Sequence, residues 1–313
     1  MRRLALAAMV ALSALAGPAS LAAEPASPQP ATPPPAAAYA MPDTEVFDLT
    51  ARDEGGGGDG GGGGGQVYRI FVSRPSAPAP AGGYPVLYVL DANALFAGFA
   101  GERRLEEFGK VAGGGVMVVG IGYPTDQVYD MQRRLYDLTP PWPAHMPPAQ
   151  AAMAGLKAGG NENFARFLLG QLRGEIAGRY PVSKERQSLF GHSLGGLFAL
   201  HMLYTRPTAF EAIVAASPSQ WWNDQSLLTE ERAFAERLQA GRIDGPVSRV
   251  LVVAGERDTM GAIAVDADAL SRRFDALSAY GLRTRHAQFD AEEHVTVPTR
   301  AITPSLRFVA GAF

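Results

Sequence analysis

The sequence predicts an α/β domain: a mostly parallel central sheet with an N-terminal antiparallel hairpin and helices on both faces. Three observations predict it. From Tyr84 onward, short continuous apolar runs alternate with stretches of helical periodicity, as strands buried on both faces alternate with the helices that cover them. Before Tyr84, two segments alternate apolar and polar residues with a period of two, which fits a half-covered edge hairpin. Finally, the glycine-rich sequence Gly191-His192-Ser193-Leu194-Gly195 lies between an apolar run and a helical stretch.

The N-terminus reads as a targeting segment. Met1-Arg2-Arg3 precedes an uncharged apolar run over 4–16, then Gly17-Pro18 and small residues, the order of a secretory signal peptide. The run is too short for a permanent bilayer span, and Ser20-Leu21-Ala22 fits a cleavage site, so 1–22 is expected to be removed on export to the periplasm or beyond. Residues 23–42 are rich in Pro and Ala and hold few large apolar side chains, so they cannot offset the entropy of ordering and are expected to be a linker. A single folded domain is expected over 43–313.

Within it, 46–49 and 66–72 form the expected hairpin. They flank Gly55–Gly65, a tract interrupted only by Asp59. The tract lacks the Lys-Ser/Thr and following helix of a phosphate-binding loop, and ordering so many glycines is costly, so it reads as a loop insertion. Strands are then expected at 86–90, 116–121, 188–190, 212–216, 250–254 and 284–289, with helices over 95–111, 164–179, 194–204, 227–239 and 263–280, and a final helical segment at the C-terminus. Residues 123–160, dense in Pro, Met and aromatics, read as a loop beside a pocket. There Trp142 and Met146 either wall the pocket or pack the loop onto the body.

Composition narrows the chemistry. The 313 residues include no cysteine, which excludes thiolate metal sites, a cysteine nucleophile and disulfides. A net charge of −3 provides no electrostatic footprint for nucleic acid. No apolar stretch after residue 22 is long enough to span a membrane.

The chemistry gathers around Ser193. In a strand-turn-helix context, G-x-S-x-G is a nucleophile elbow, whose sharp turn strains the serine and crowds neighbouring backbone so closely that the flanking residues must be glycine. A serine hydroxyl needs a base, and on such a sheet the expected order is serine, acid, histidine. Of the five histidines, His192 is expected to point away across the turn, His201 to pack within a helix, His145 to lie in a Pro-rich loop before the serine, and His286 to sit inside a strand. His294, just past the strand at 284–289, is the expected base. For the acid, Glu256 and Asp258 both follow the strand at 250–254; Asp258 is preferred, with Glu256 next and Glu292 and Glu293 after it. Two backbone N–H groups should face the oxyanion: Leu194, which follows the serine, and Asn93, in the loop after 86–90. Asp91 reads as a turn former. Trp221 and Trp222 are candidates to line the site, with packing expected of at least one.

The chain resembles the esterase branch of the α/β-hydrolases that includes periplasmic enterobactin-type siderophore esterases. Six motifs carry the resemblance, in the family's order: Tyr88-Val89-Leu90-Asp91-Ala92-Asn93, Ile121-Gly122-Tyr123, Arg134-Leu135-Tyr136-Asp137-Leu138-Thr139-Pro140, Gly191 to Gly196, Ser217-Pro218-Ser219-Gln220-Trp221-Trp222, and Gly255-Glu256-Arg257-Asp258. The position after Asp91, usually glycine in that family, is Ala92. The resemblance implies an α/β-hydrolase fold, hydrolysis of a small-molecule carboxylic ester by Ser193 and His294, and Arg134 near polar groups of the substrate. Some relatives resemble Ser-His dyads. The resulting expectation is an exported serine esterase acting through an acyl-enzyme on a substrate such as a siderophore ester, needing no metal or cofactor. Acyl transfer to an alcohol, and a ligand-binding pseudohydrolase, are the alternatives.

Overall fold

The structure, a computed structural model, describes residues 40–52, 65–143, 153, 155–223, 225–260, 263–264 and 267–312. The expected signal segment, the linker up to residue 39, residues 55–64 of the glycine tract, His145 and Met146 lie outside the described residues.

Strands β1 (Thr44–Thr50) and β2 (Val67–Ser73) form the expected antiparallel hairpin. They are followed by β3 (Tyr84–Leu90), β4 (Met117–Gly122), β5 (Val182–His192), β6 (Ala212–Ala216) and β7 (Arg249–Arg257). After a two-residue hairpin, β8 (Thr259–Met260) with β9 (Ile263–Ala264), comes β10 (Thr284–Glu293). One eight-stranded sheet runs in the order β1-β2-β4-β3-β5-β6-β7-β10, antiparallel from β1 to β4 and parallel from there on.

The helices are α1 (Ala92–Phe108), α2 (Met131–Leu138), α3 (Asn161–Arg166), α4 (Arg173–Arg179), α5 (Leu194–Thr205), α6 (Leu227–Gln239), α7 (Ala267–Asp275) and α8 (Val297–Ala310). Apolar residues of α1 and α8 bury one face of the sheet, and those of α2 to α7 bury the other. The inner parallel strand β3 is therefore apolar on both sides, Val86, Tyr88 and Leu90 entering one core and Leu87 and Val89 the other, whereas the edge strand β10 is largely polar. Helix α5, buried from Leu194 to Tyr204, packs between β5 and β6 on one side and α2 and α6 on the other. That position explains an apolar sequence on every side of the helix.

Three expectations need correction. The segment 123–160 contains a helix, α2, started by the Asp130 carboxylate, which accepts the Arg133 N–H at 3.0 Å. The helix expected over 263–280 is only α7 and a 3₁₀ turn at Ser278–Tyr280, because the backbone of 263–264 pairs with 259–260 instead. A short apolar run does not distinguish these choices by periodicity. The helix expected over 164–179 is interrupted by a π turn at Phe167–Leu172 that joins α3 to α4.

Candidate active site

Strand β5 ends at His192, and α5 begins at Leu194, so Ser193 alone makes the turn. Its φ of 57° and ψ of −116° are a conformation that L residues avoid. The turn is held by Ser193 N–H donating to the Ala216 carbonyl at 3.0 Å and by Leu197 N–H donating to the Ser193 carbonyl at 2.9 Å. A Cβ on Gly191 would lie 2.0 Å from the Gly195 carbonyl oxygen, so this flank must be glycine. The other flank need not be, contrary to the sequence expectation: a Cβ on Gly195 meets nothing nearer than the Asp91 carboxylate at 3.5 Å. Gly191→Ala should therefore cost about 3 kcal/mol or more through forced backbone movement, while Gly195→Ala should leave the fold intact. Calorimetric melting of the two variants checks the contrast; similar losses in both would refute it.

The C-terminal ends of β5, β7 and β10 bring Ser193, Asp258 and His294 together. His294 Nε2 lies 2.9 Å from Ser193 Oγ, and His294 Nδ1 lies 2.7 Å from Asp258 Oδ1. All three residues are buried. The second oxygen of Asp258 accepts the Ser217 hydroxyl and, at 3.3 Å, the Gly255 N–H. Burial pushes the Asp258 carboxyl up, but the hydrogen bonds from His294, Ser217 and Gly255 outweigh it and hold the group below the usual carboxylate range. Asp258 is thus an ionised acceptor, which places the proton of a neutral His294 on Nδ1 and leaves Nε2 free to accept from Ser193. Glu256 lies elsewhere: its carboxylate accepts the Ala291 N–H at 2.9 Å, at the irregularity in β10 that precedes His294. Glu292 pairs with Arg300 at 3.2 Å.

His192 does not point away. Its ring centroid is 4.8 Å from that of His294, and its Nε2–H donates to the His294 backbone carbonyl at 2.8 Å. The two-residue period of β5 carries the signal: Phe190 faces α1 and α8, so His192 faces the same side. Burial, reinforced by His294, pushes His192 from 6.5 down to about 4. A base with a depressed folded pKa binds fewer protons than its unfolded counterpart in that window, so its contribution is complete above pH 6.5 and is lost as the pH falls toward 4. The loss should reach about 3 kcal/mol. Urea unfolding at pH 7.5 and 4.5 should give a smaller difference for His192→Gln than for the parent, and equal differences would contradict this account.

The two expected oxyanion donors lie at the ends of adjacent strands, β5 and β3. Neither the Leu194 nor the Asn93 N–H has a backbone partner among the described residues. The Asn93 side chain braces its turn: Oδ1 accepts the Tyr123 N–H at 2.8 Å, and Nδ2 donates to the Tyr123 and Thr125 carbonyls at 3.0 and 2.9 Å. Asp91 is the turn former expected, with φ of 55° at the start of α1. Arg134 is less open than the resemblance implies. Its Nε and Nη2 each donate to an Asp91 oxygen at 2.9 Å, and the residue is 5% exposed, so the bidentate pair with Asp91 takes two of the five N–H donors and buries the group.

The tryptophans form a stack. Trp222 is fully buried and presents no surface to a ligand; it stacks on Trp142 at 4.4 Å and meets Trp221 at 5.9 Å. Trp142 is half-buried and donates its indole N–H to the Leu156 carbonyl at 2.8 Å. Trp221 is half-buried and is left as the one of the pair with surface to offer. A depression of about 590 Å³ adjoins Asn93, bounded by β1, β2 and residues 125–127.

A sheet of this order, with a strained serine between β5 and α5, makes the protein an α/β-hydrolase. The family model "Putative esterase" matches residues 64–296. The ferri-bacillibactin esterase BesA of Bacillus subtilis is 34% identical over 278 residues, covering 87% of this chain and 91% of that protein. Among solved structures, the BES protein from Bacillus cereus matches with a TM-score of 0.74 at 31% identity, covering 87% of this chain and 97% of that one. The siderophore hydrolase EstA from Aspergillus nidulans matches with a TM-score of 0.68 at 28% identity, covering 86% and 94%. The chain belongs to this esterase family.

Proposed function

We propose that the protein is an exported serine esterase that hydrolyses a siderophore ester through an acyl-enzyme. Ser193 acts as nucleophile, His294 as base and then acid, and Asp258 as the carboxylate that orients the imidazole. The observation that carries this reading is the unbroken hydrogen-bonded row from Asp258 through His294 to Ser193.

The chemistry follows from that row. As Ser193 Oγ bonds to the ester carbon, its proton passes to His294 Nε2 and the carbonyl electron pair moves onto oxygen, facing the Leu194 and Asn93 amides. When the pair returns, the carbon–alcohol bond breaks and His294 gives its proton to the departing alkoxide. Water then repeats the sequence against the acyl-enzyme, releasing the acid and restoring Ser193. The siderophore assignment rests on the named activities of the relatives, and export on the sequence of residues 1–22.

One set of assays tests both parts. Short p-nitrophenyl esters should be cleaved and a fluorophosphonate should label Ser193; failure of both removes the serine-esterase reading. A panel containing a catechol trilactone, a hydroxamate ester siderophore and simple acyl esters tests the substrate. If only simple esters are cleaved, the siderophore part fails. Product diverted into a new ester by an added alcohol would instead indicate acyl transfer. Protein recovered from the periplasm or medium should begin at Ala23.

A further inference from the structure

The turn after β6 reaches both ends of the hydrogen-bonded row through Ser217 and Ser219. Ser217 and Ser219 are fully buried. Ser217, at φ of 44°, donates its hydroxyl to Asp258 Oδ2. Ser219 Oγ lies 3.2 Å from Ser193 Oγ, and its N–H donates to the Ser193 carbonyl at 3.1 Å. Between them, Pro218 packs against α5 so closely that a Cβ on Gly196 would lie 2.9 Å from Pro218 Cα. Side chains 217, 258, 294, 193 and 219 thus form one continuous chain whose two ends belong to a single three-residue turn.

Proton counting sets the direction of the last bond. Asp258 is ionised and only accepts, so a neutral His294 carries its proton on Nδ1 and accepts at Nε2. Ser193 has one proton, and it goes to Nε2. Ser193 Oγ can therefore only accept from Ser219, and the Ser219 hydroxyl is the donor.

We propose that Ser219 is a further catalytic residue, a hydrogen-bond donor to the nucleophilic oxygen itself, and that Ser217 is its counterpart as a positioning residue on Asp258. The proposal rests on the serine-esterase reading above. Negative charge develops on Ser193 Oγ twice: when its proton leaves for His294 during acylation, and when Oγ departs from the acyl carbon during deacylation. A donor already aimed at that atom, with no access to water, strengthens as the charge grows and needs no reorganisation. Ser219 transfers no proton; it holds Oγ in line with Nε2 and stabilises it at both barriers. Ser217 acts through Asp258. By taking up part of the carboxylate's charge, it tempers how strongly Asp258 stabilises the imidazolium of His294.

The test uses the full chain with a fluorophosphonate and a p-nitrophenyl ester. In Ser219→Ala, the rate of Ser193 phosphonylation and kcat should both fall by about ten- to a hundredfold, the size expected for one charge-assisted hydrogen bond, with KM unchanged. The melting temperature should stay close to the parent's, since only one atom is lost. A phosphonylation rate equal to the parent's overturns the proposal, and so does a loss seen as raised KM with a lowered melting temperature, the mark of a structural role. In Ser217→Ala, the acid limb of the kcat/KM profile should move to higher pH, because an unshared Asp258 charge favours protonated His294; a limb that stays or moves down overturns the Ser217 half. The two levels of failure are distinguishable: no labelling of the parent rejects the esterase reading, whereas a labelled parent and an equally labelled Ser219→Ala reject only this inference.

Discussion

Ser193→Ala should lower kcat for ester hydrolysis by about six orders of magnitude, as removal of the nucleophile does in comparable triads. The size follows from what remains. The substitution leaves the His294–Asp258 hydrogen bond and the Leu194 and Asn93 amides in place, and such remnants alone sustain roughly a thousandfold or greater advantage over water. What disappears is the covalent route, because His294 Nε2 then faces a methyl group instead of a hydroxyl 2.9 Å away. The backbone strain at φ of 57° is kept by alanine, so the turn itself is not relaxed. Active-site titration with a fluorophosphonate should show no labelled protein, which also excludes contaminating parent enzyme from the residual rate. Activity within a hundredfold of the parent would remove Ser193 from the role of nucleophile.

The site was legible in the sequence wherever backbone topology decides position. An apolar run, a G-x-S-x-G turn and a helical stretch allow little besides an elbow, and Asp258 and His294 could be singled out because each follows a strand at the same end of the sheet. Side-chain direction was harder. His192 was expected to point away, yet the period of β5 puts it beside Phe190 and so toward the His294 segment. Of Trp221 and Trp222, at least one is expected to pack, but the sequence does not say which; a residue just past a buried strand is easily turned into the core, and it is Trp222 that stacks under Trp142. Helix α2 carries little sequence signal, because its eight residues sit within a Pro- and aromatic-rich segment and its start is marked only by the Asp130 cap. Ser217 and Ser219 stand in one of the six motifs, but nothing local assigns a partner to either hydroxyl. Their partners lie 41 and 26 residues away in the chain, and only the crossing of β6 between β5 and β7 brings them together.

Asp258→Asn should lower kcat by about ten-thousandfold without disturbing the fold, and the neighbours of Asp258 supply the reason. In the parent, Oδ2 accepts from the Gly255 N–H, a backbone donor that cannot reverse, while Oδ1 accepts from His294 Nδ1–H. An asparagine has one oxygen to offer. If that oxygen stays with Gly255, the amide NH₂ faces His294 Nδ1 and must donate to it. His294 then carries its proton on Nε2, where it opposes the Ser193 hydroxyl instead of receiving its proton. If the amide flips, Nδ1–H keeps its acceptor, but two N–H groups collide at Gly255, and the negative charge that stabilises the imidazolium is gone in either case. The first arrangement keeps the Gly255 N–H and the Ser217 hydroxyl on an oxygen acceptor, so the wrong tautomer is expected to dominate, and that error costs about four orders of magnitude in a comparable Ser-His-Asp triad. Steady-state kinetics with a p-nitrophenyl ester, alongside Glu256→Gln as a control expected to retain activity, separates the candidate acids. A loss below tenfold in Asp258→Asn would mean that His294 works as half of a dyad and that the carboxylate serves only to anchor the end of β7.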